Sequence, residues 1–231
     1  MYKNKKILAI VPARGGSKRL PRKNIKKLNG KPMISYAIKA ALLSDYIDRI
    51  IVSTDDPIIA KISEKYGAEV PFIRPAELAT DTARPEHVLQ HAVAYFSSNG
   101  FDADLIVLIQ PTSPLVSVDD IDGAIEKMFK TKAGSCIGVC EISERPEWMY
   151  KLKDGKAVLF LRGSGTKKRS QELPKLYKIN GAVYVVKREI LMKNDKIIDD
   201  NSEIFLMPRE RSVDIDELID FKLAEAILRS Q

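Results

Sequence analysis

The chain has 231 residues, 45% of them hydrophobic and 30% charged, with 12 glycines, 12 prolines and a formal net charge of +7. That apolar share excludes a disordered chain, and Gly plus Pro is too scarce for a collagen-like or low-complexity one. No apolar run approaches the roughly 18 to 20 residues of a membrane-spanning helix, so no membrane partner is expected. The length suits one α/β domain over residues 1–231, with an inserted hairpin and arm over 143–178.

In chain order, Lys6 to Val11 reads as a buried strand, running on through Pro12 and Ala13 to Arg14 with no cleavage site, which argues against a secretory signal. Lys31 to Leu43 follows as a helix with Pro32 in its first turn, then Arg49 to Ser53 as a strand. Asp56-Pro57 offers a cap and first-turn proline for a helix through Tyr66, closed by Gly67. Ala68 to Ile73 is expected as a strand and Pro85 to Ser97 as a helix. Leu105 to Ile109 is a fully buried strand, Val118 to Lys130 a helix and Cys136 to Ile142 a strand. The alternation predicts a doubly wound, mostly parallel, Rossmann-like α/β sheet. It breaks near residue 143, where Met149 to Phe160 reads as a hairpin turning at Asp154-Gly155. The sheet resumes with Tyr177 to Val186, and a helix from Ile215 to Leu228 follows.

The charge is not spread evenly. The first 44 residues hold 12 Lys or Arg and no acid, whereas the other 187 carry 26 cations against 31 acids. Much of the excess sits after the first strand, at Arg14, Lys18, Arg19, Arg22, Lys23, Lys26 and Lys27, beside Gly15 and Gly16. The loop matches neither a Walker motif nor GxGxxG. Glycines there free backbone N–H groups to approach phosphates at the carboxyl end of a strand, where open α/β sheets bind ligands. A solvated basic surface is the plainer alternative.

Other motifs are weaker. Gly163-Ser164-Gly165 resembles a nucleotide loop, but no strand leads into it. His87 with His91 and Cys136 with Cys140 suggest zinc, yet sulfurs four residues apart on a strand lie about 13 Å apart and cannot share one ion. The two cysteines point instead to a reducing compartment, the cytoplasm. Asp214 and Asp216, at i and i+2, could hold a hard divalent cation with phosphate oxygens or could cap the final helix. Gln110-Pro111-Thr112-Ser113-Pro114 presents an amide and two hydroxyls after the LIVLI strand, or is an ordinary turn.

Ala13 to Asn24, in the form Ala-Arg-Gly-Gly-Ser-Lys-x-Leu-Pro-x-Lys-Asn, resembles the N-terminal signature of the acylneuraminate cytidylyltransferases, the CMP-sialic acid synthetases. Further matches are Ile50 to Asp55, Arg74 to Ala79, Gln110 to Leu115, Asn180 to Tyr184 and Ser212 to Asp216, so the resemblance runs along nearly the whole chain. It implies CMP transfer from CTP to the anomeric hydroxyl of a nonulosonic acid with release of pyrophosphate, a Mg²⁺ cofactor, and a homodimer whose arm helps complete the neighbour's sugar site. It also implies that Ala13, Arg14, Gly15, Ser17 and Lys23 handle the triphosphate while Asn24 and Arg74 hold the cytidine. Gln110, Arg169 and Tyr184 would line the sugar pocket. Asp214 and Asp216 would carry the metal and, with Arg14 and Lys23, form the catalytic set. Ser170 and Lys178-Ile179 depart from the family pattern on the sugar side, so a legionaminic-type sugar suits the sequence as well as sialic acid.

The Kdo cytidylyltransferases share Arg19-Leu20-Pro21 and are the alternative within the fold. A basic nucleic-acid-binding module would explain the charged start, but the loop lacks aromatic stacking platforms and no nucleic-acid partner is expected. A silent nucleotide sensor would have no use for the acid pair.

Overall fold

The computed structural model describes residues 2–161 and 169–230. The first strand, β1 (Ile7–Pro12), has residues buried on both sides. Its side chains alternate between two apolar layers: Ile7, Ala9 and Val11 face one, Leu8 and Ile10 the other. Such a strand belongs at the centre of a sheet covered on both faces.

The remaining elements are β2 (Lys27–Leu28), β3 (Lys31–Pro32), α1 (Ile34–Leu42), β4 (Arg49–Ser53), α2 (Pro57–Lys65), α3 (Pro85–Ser98), β5 (Leu105–Ile109), α4 (Val118–Thr131) and β6 (Ser135–Glu141). After these come β7 (Tyr150–Lys153), β8 (Lys156–Leu159), β9 (Tyr177–Lys187), α5 (Arg188–Asn194), β10 (Ser202–Leu206) and α6 (Leu218–Ser230). Six strands form the main sheet in the order β10-β6-β9-β5-β1-β4. Its pairings are parallel except that β9 runs antiparallel between β5 and β6. Residues of α1, α2 and α4 join the layer on one face, and those of α3 and α5 the layer on the other. This is the expected doubly wound, mostly parallel α/β sheet.

Several elements differ from the sequence expectation. Lys31 and Pro32 pair with Lys27 and Leu28 in a small hairpin, and the helix starts only at Ile34. The turn is Asn29-Gly30, both at positive φ, the preferred chemistry for a two-residue hairpin. Ala68 to Ile73 makes only two isolated bridges, Ile51 to Glu69 and Thr54 to Ile73, because Pro71 has no N–H to donate to a ladder. α5 and β10 were not anticipated. The final helix begins at Leu218, three residues later than expected. The Asp154-Gly155 hairpin forms as expected, as a separate two-stranded sheet with both turn residues at positive φ.

A third apolar cluster joins three distant segments. Leu20, Leu28 and Met33 from the region after β1 pack with Leu115 beyond β5 and with Ile215, Phe221 and Ala224 near α6. Burying these side chains together draws the basic loop, the Gln110 loop and the acid pair toward one end of the sheet.

Candidate active site

The basic loop is pinned at both ends. The Ala13 N–H donates to Ser53 O at 2.9 Å, tying the loop to the end of β4. The Gly15 N–H donates to Asp55 Oδ1 at 2.9 Å. A Cβ on Gly15 would sit 2.8 Å from Asp56 Oδ2, so only glycine lets the loop cross the start of α2. Asp56 is fixed there as the cap of α2, accepting from the Ile58 N–H at 2.7 Å. Farther on, Asn24 Nδ2 donates to Arg14 O at 3.0 Å and braces the loop from inside. Asn24 Oδ1 is buried and has no donor among the described residues, an acceptor left for something that enters.

Lys23 connects the loop to the C-terminal acids. Its ammonium donates to Ile215 O at 2.8 Å and to Asp216 Oδ1 at 3.0 Å, and Arg19 Nη1 reaches Asp216 Oδ2 at 3.1 Å. Lys23 and Asp216 therefore lie on the same side of the molecule and touch, rather than facing each other across a gap. The Lys23 contact, with Arg19 beside it, holds the Asp216 carboxyl below the usual range. Asp214 is the opposite case. Burial pushes its carboxyl up, the Asp216 charge adds to this, and the Thr112 hydroxyl and Lys23 offset it only in part. Neither acid caps α6; Asp220 accepts from the Asp216 and Glu217 N–H groups instead, at 3.0 and 2.8 Å. The helix-cap alternative thus falls to Asp220.

The loop after β5 closes the other side. Thr112 Oγ1 donates to Gln110 Oε1 at 3.3 Å, and Thr112 O accepts from the Ile215 N–H at 2.8 Å. Gly181, at φ +76°, brings β9 past both: a Cβ there would lie 3.5 Å from Gln110 Oε1 and 3.6 Å from Asp214 Oδ2.

Between these walls lies a cavity of about 380 Å³ lined by Arg14, Ser17, Lys23, Asn24, Arg74 and Gln110, among others. Arg74 is only 5% exposed. It donates to Ser53 Oγ at 3.1 Å, to Ser53 O and to Leu78 O at 3.3 Å. No carboxylate forms an ion pair with it among the described residues, and burial pushes its pKa down to about 10, still charged at neutral pH. A second cavity of about 370 Å³ contains Asp214 with Lys178, Glu144 and Arg209.

Not every expected residue enters this arrangement. Tyr184 packs half-buried against the Leu8 and Ile10 layer and lines neither cavity, though Asp214 is near enough to add to the burial that raises its phenol pKa. Arg169 is exposed on the arm, its backbone N–H toward Glu172 Oε2 at 3.4 Å. Gly163, Ser164 and Gly165 lie outside the described residues. Cys136 and Cys140 are buried free thiols in β6, and burial pushes Cys136 up to about 11, far from a thiolate. His91 packs edge-on against Phe72, with its ring centroid 4.7 Å away. Among the described residues no three His, Cys, Asp or Glu side chains converge on a metal position. One contributor had no signal in the sequence: Asp81, which lines the first cavity and pairs with Arg14 and Lys18.

Asp214 thus lines only the second cavity and Asp216 neither, but a cationic loop that lines a cavity beyond the strand ends, with a carboxylate held against its lysine, suits a nucleotide-dependent group-transfer enzyme. A family model described as "Cytidylyltransferase" matches residues 8–226, and the chain belongs to that family. It is 36% identical to the CMP-N,N'-diacetyllegionaminic acid synthase of Legionella pneumophila, covering 96% of both chains. It is 34% identical to the pseudaminic acid cytidylyltransferase of Campylobacter jejuni, covering 97% of both. The N-acylneuraminate cytidylyltransferase of Escherichia coli matches at 32% identity over 96% of this chain and 52% of its own length. These relatives are CMP-nonulosonic acid synthetases, the group that the motifs resembled. Among solved structures, a CMP:2-keto-3-deoxy-manno-octonic acid synthetase complexed with CTP has the same fold, with TM-score 0.72 at 20% identity over 97% of this chain and 99% of that one. No helix among the described residues is long and apolar enough to cross a membrane.

Proposed function

We propose that this protein transfers CMP from CTP to the anomeric hydroxyl of a nonulosonic acid of the sialic, legionaminic or pseudaminic type. The sugar oxygen bonds to the α-phosphorus as the α–β bridging P–O bond breaks. Pyrophosphate carries away the bonding pair, and the hydroxyl proton is released. The observation that carries this reading is the contact of Lys23 with Asp216 at the edge of the first cavity, which puts phosphate-binding cations and a carboxylate pair in one place.

Arg14, Ser17 and Lys23, with Ala13 and Gly15 shaping the loop, would hold the triphosphate. Their fixed charges oppose the negative charge that develops on the phosphoryl oxygens and the leaving group. Asn24 Oδ1 would accept from a hydroxyl or amino group of the nucleoside, and Arg74 would hold its other polar edge. Gln110 reaches the same cavity from the sugar side. Tyr184 and Arg169 would join the sugar contacts only in the assembled enzyme.

Asp214 and Asp216 suit a hard divalent cation. Both offer oxygen ligands, and Asp214, an exposed residue that lines the second cavity, forms no ion pair among the described residues, so its carboxylate is open to a metal. Mg²⁺ held there would act as a Lewis acid toward phosphate oxygens. The working form proposed is a cytoplasmic homodimer. Its support is an exposed apolar face on the β7–β8 hairpin, formed by Tyr150 and Leu152.

Incubating the protein with CTP, Mg²⁺ and a panel of legionaminic, pseudaminic and sialic acids and Kdo, while following pyrophosphate, tests the proposal. Release with at least one nine-carbon acid above the Kdo rate is the expected result. Release with Kdo alone would favour the alternative substrate class, and release with none would refute the reading.

A further inference from the structure

The basic loop already holds an anion supplied by its own chain. Asp81 stands between the short turn Ala76–Leu78 and α3, and it lines the same cavity as Arg14 and Ser17. Its Oδ1 accepts from Arg14 Nη1 at 2.7 Å while Oδ2 pairs with the Lys18 ammonium. Each oxygen thus engages one cation of the loop, much as neighbouring phosphate oxygens would. Left alone, a carboxylate in a phosphate-binding cavity would repel the ligand. Its placement makes sense if it is exchanged for the ligand.

We infer that Asp81 stands in for phosphate, occupying Arg14 at the cavity and Lys18 beside it until a triphosphate displaces it. This rests on the nucleotide reading above. Arg14 is held at the cavity wall and Lys18, 82% exposed, beside it, both already engaged by the carboxylate that the ligand must displace. The Asp81 side chain is 44% exposed, so each ion pair is weak and readily exchanged. A triphosphate carries several charges and more acceptor oxygens than one carboxylate, so the exchange favours the nucleotide. The arrangement lowers affinity for any smaller anion.

Calorimetric titration of CTP and of inorganic tripolyphosphate into the full chain and into Asp81→Asn tests this, together with KM and kcat for CTP. Loss of the internal competitor is expected to tighten tripolyphosphate and CTP binding about threefold to tenfold. KM for CTP should fall by a similar factor without a rise in kcat, and Asp81→Glu should bind like the parent. Tightening of this kind cannot come from damage to the fold. Should Asp81→Asn melt early, Asp81→Ser removes the same charge and gives the same reading. Unchanged or weaker tripolyphosphate binding in the neutral variants overturns the inference and leaves the nucleotide site standing. A parent protein that binds neither CTP nor tripolyphosphate refutes both.

Discussion

Lys23 is the side chain that joins the basic loop to the C-terminal acids. Its ammonium is largely shielded and is held by Ile215 O and Asp216, so it is aimed before any substrate arrives. Replacing it with alanine removes a fixed positive charge at the phosphates and leaves Asp216 with Arg19 alone. Lys23→Ala should lower kcat by about two to three orders of magnitude, comparable to the loss of a preorganised donor in other enzymes. The melting temperature should move little, since no apolar contact is lost. A variant that releases pyrophosphate at close to the parent rate would remove Lys23 from the mechanism. At this scale much of the site was legible. Arg14, Lys23, Asn24, Arg74 and Gln110 stood in loops that follow strands or in the matching motifs, and the structure gathers them around one cavity. Asp81 was not legible, because an isolated acid in a polar turn forms no motif and its meaning depends on the two cations folded against it.

At the level of elements, α4 shows how the frame holds the acid pair in place. Ser117 and Asp120 form a capping box at its start, and the same Asp120 carboxylate, 1% exposed, accepts both a 2.7 Å and a 2.9 Å bond from Arg211. Arg211 immediately precedes the Ser212 to Asp216 segment, so this bidentate pair ties the helix to the loop that carries the acids. Arg211→Ala would leave a buried carboxylate with only the Ser117 groups. A loss of about 3 kcal/mol is expected in urea unfolding at unchanged m-value. A loss below about 1 kcal/mol would mean that the pair is solvated in solution. The elements themselves were unevenly legible. β1 and β5 were evident from unbroken apolar runs. The reversal of β9 was hidden, because a strand buried on both faces has the same pattern in either direction. The seven residues of α5 are too few to establish a helical period, and β10 is a half-exposed edge strand with Glu203 in it.

Across the whole molecule, the hairpin of β7 and β8 has a surface that no described residue covers. The register sets Tyr150 opposite Leu159 and Leu152 opposite Ala157 on one face, while Lys151, Lys153 and Lys156 project from the other. Alternation of this kind normally marks a strand with one face against a core. Yet Leu152 is 82% exposed, and Tyr150 is also exposed. A two-stranded hairpin is marginal in water without an apolar partner, so the face calls for a cover. A second copy of the chain would supply one and bring Arg169, on the adjoining arm, toward the neighbour's sugar cavity. Leu152→Asp places a charge in the middle of that face. Sedimentation at micromolar concentration should then give a monomer, where the parent gives twice that mass. CTP binding should be retained, because the first cavity lies within one chain, whereas sugar-dependent turnover should fall sharply. If the variant sediments with the parent, or the parent itself is a monomer, the hairpin is not the contact, and the sugar site must be complete within a single chain.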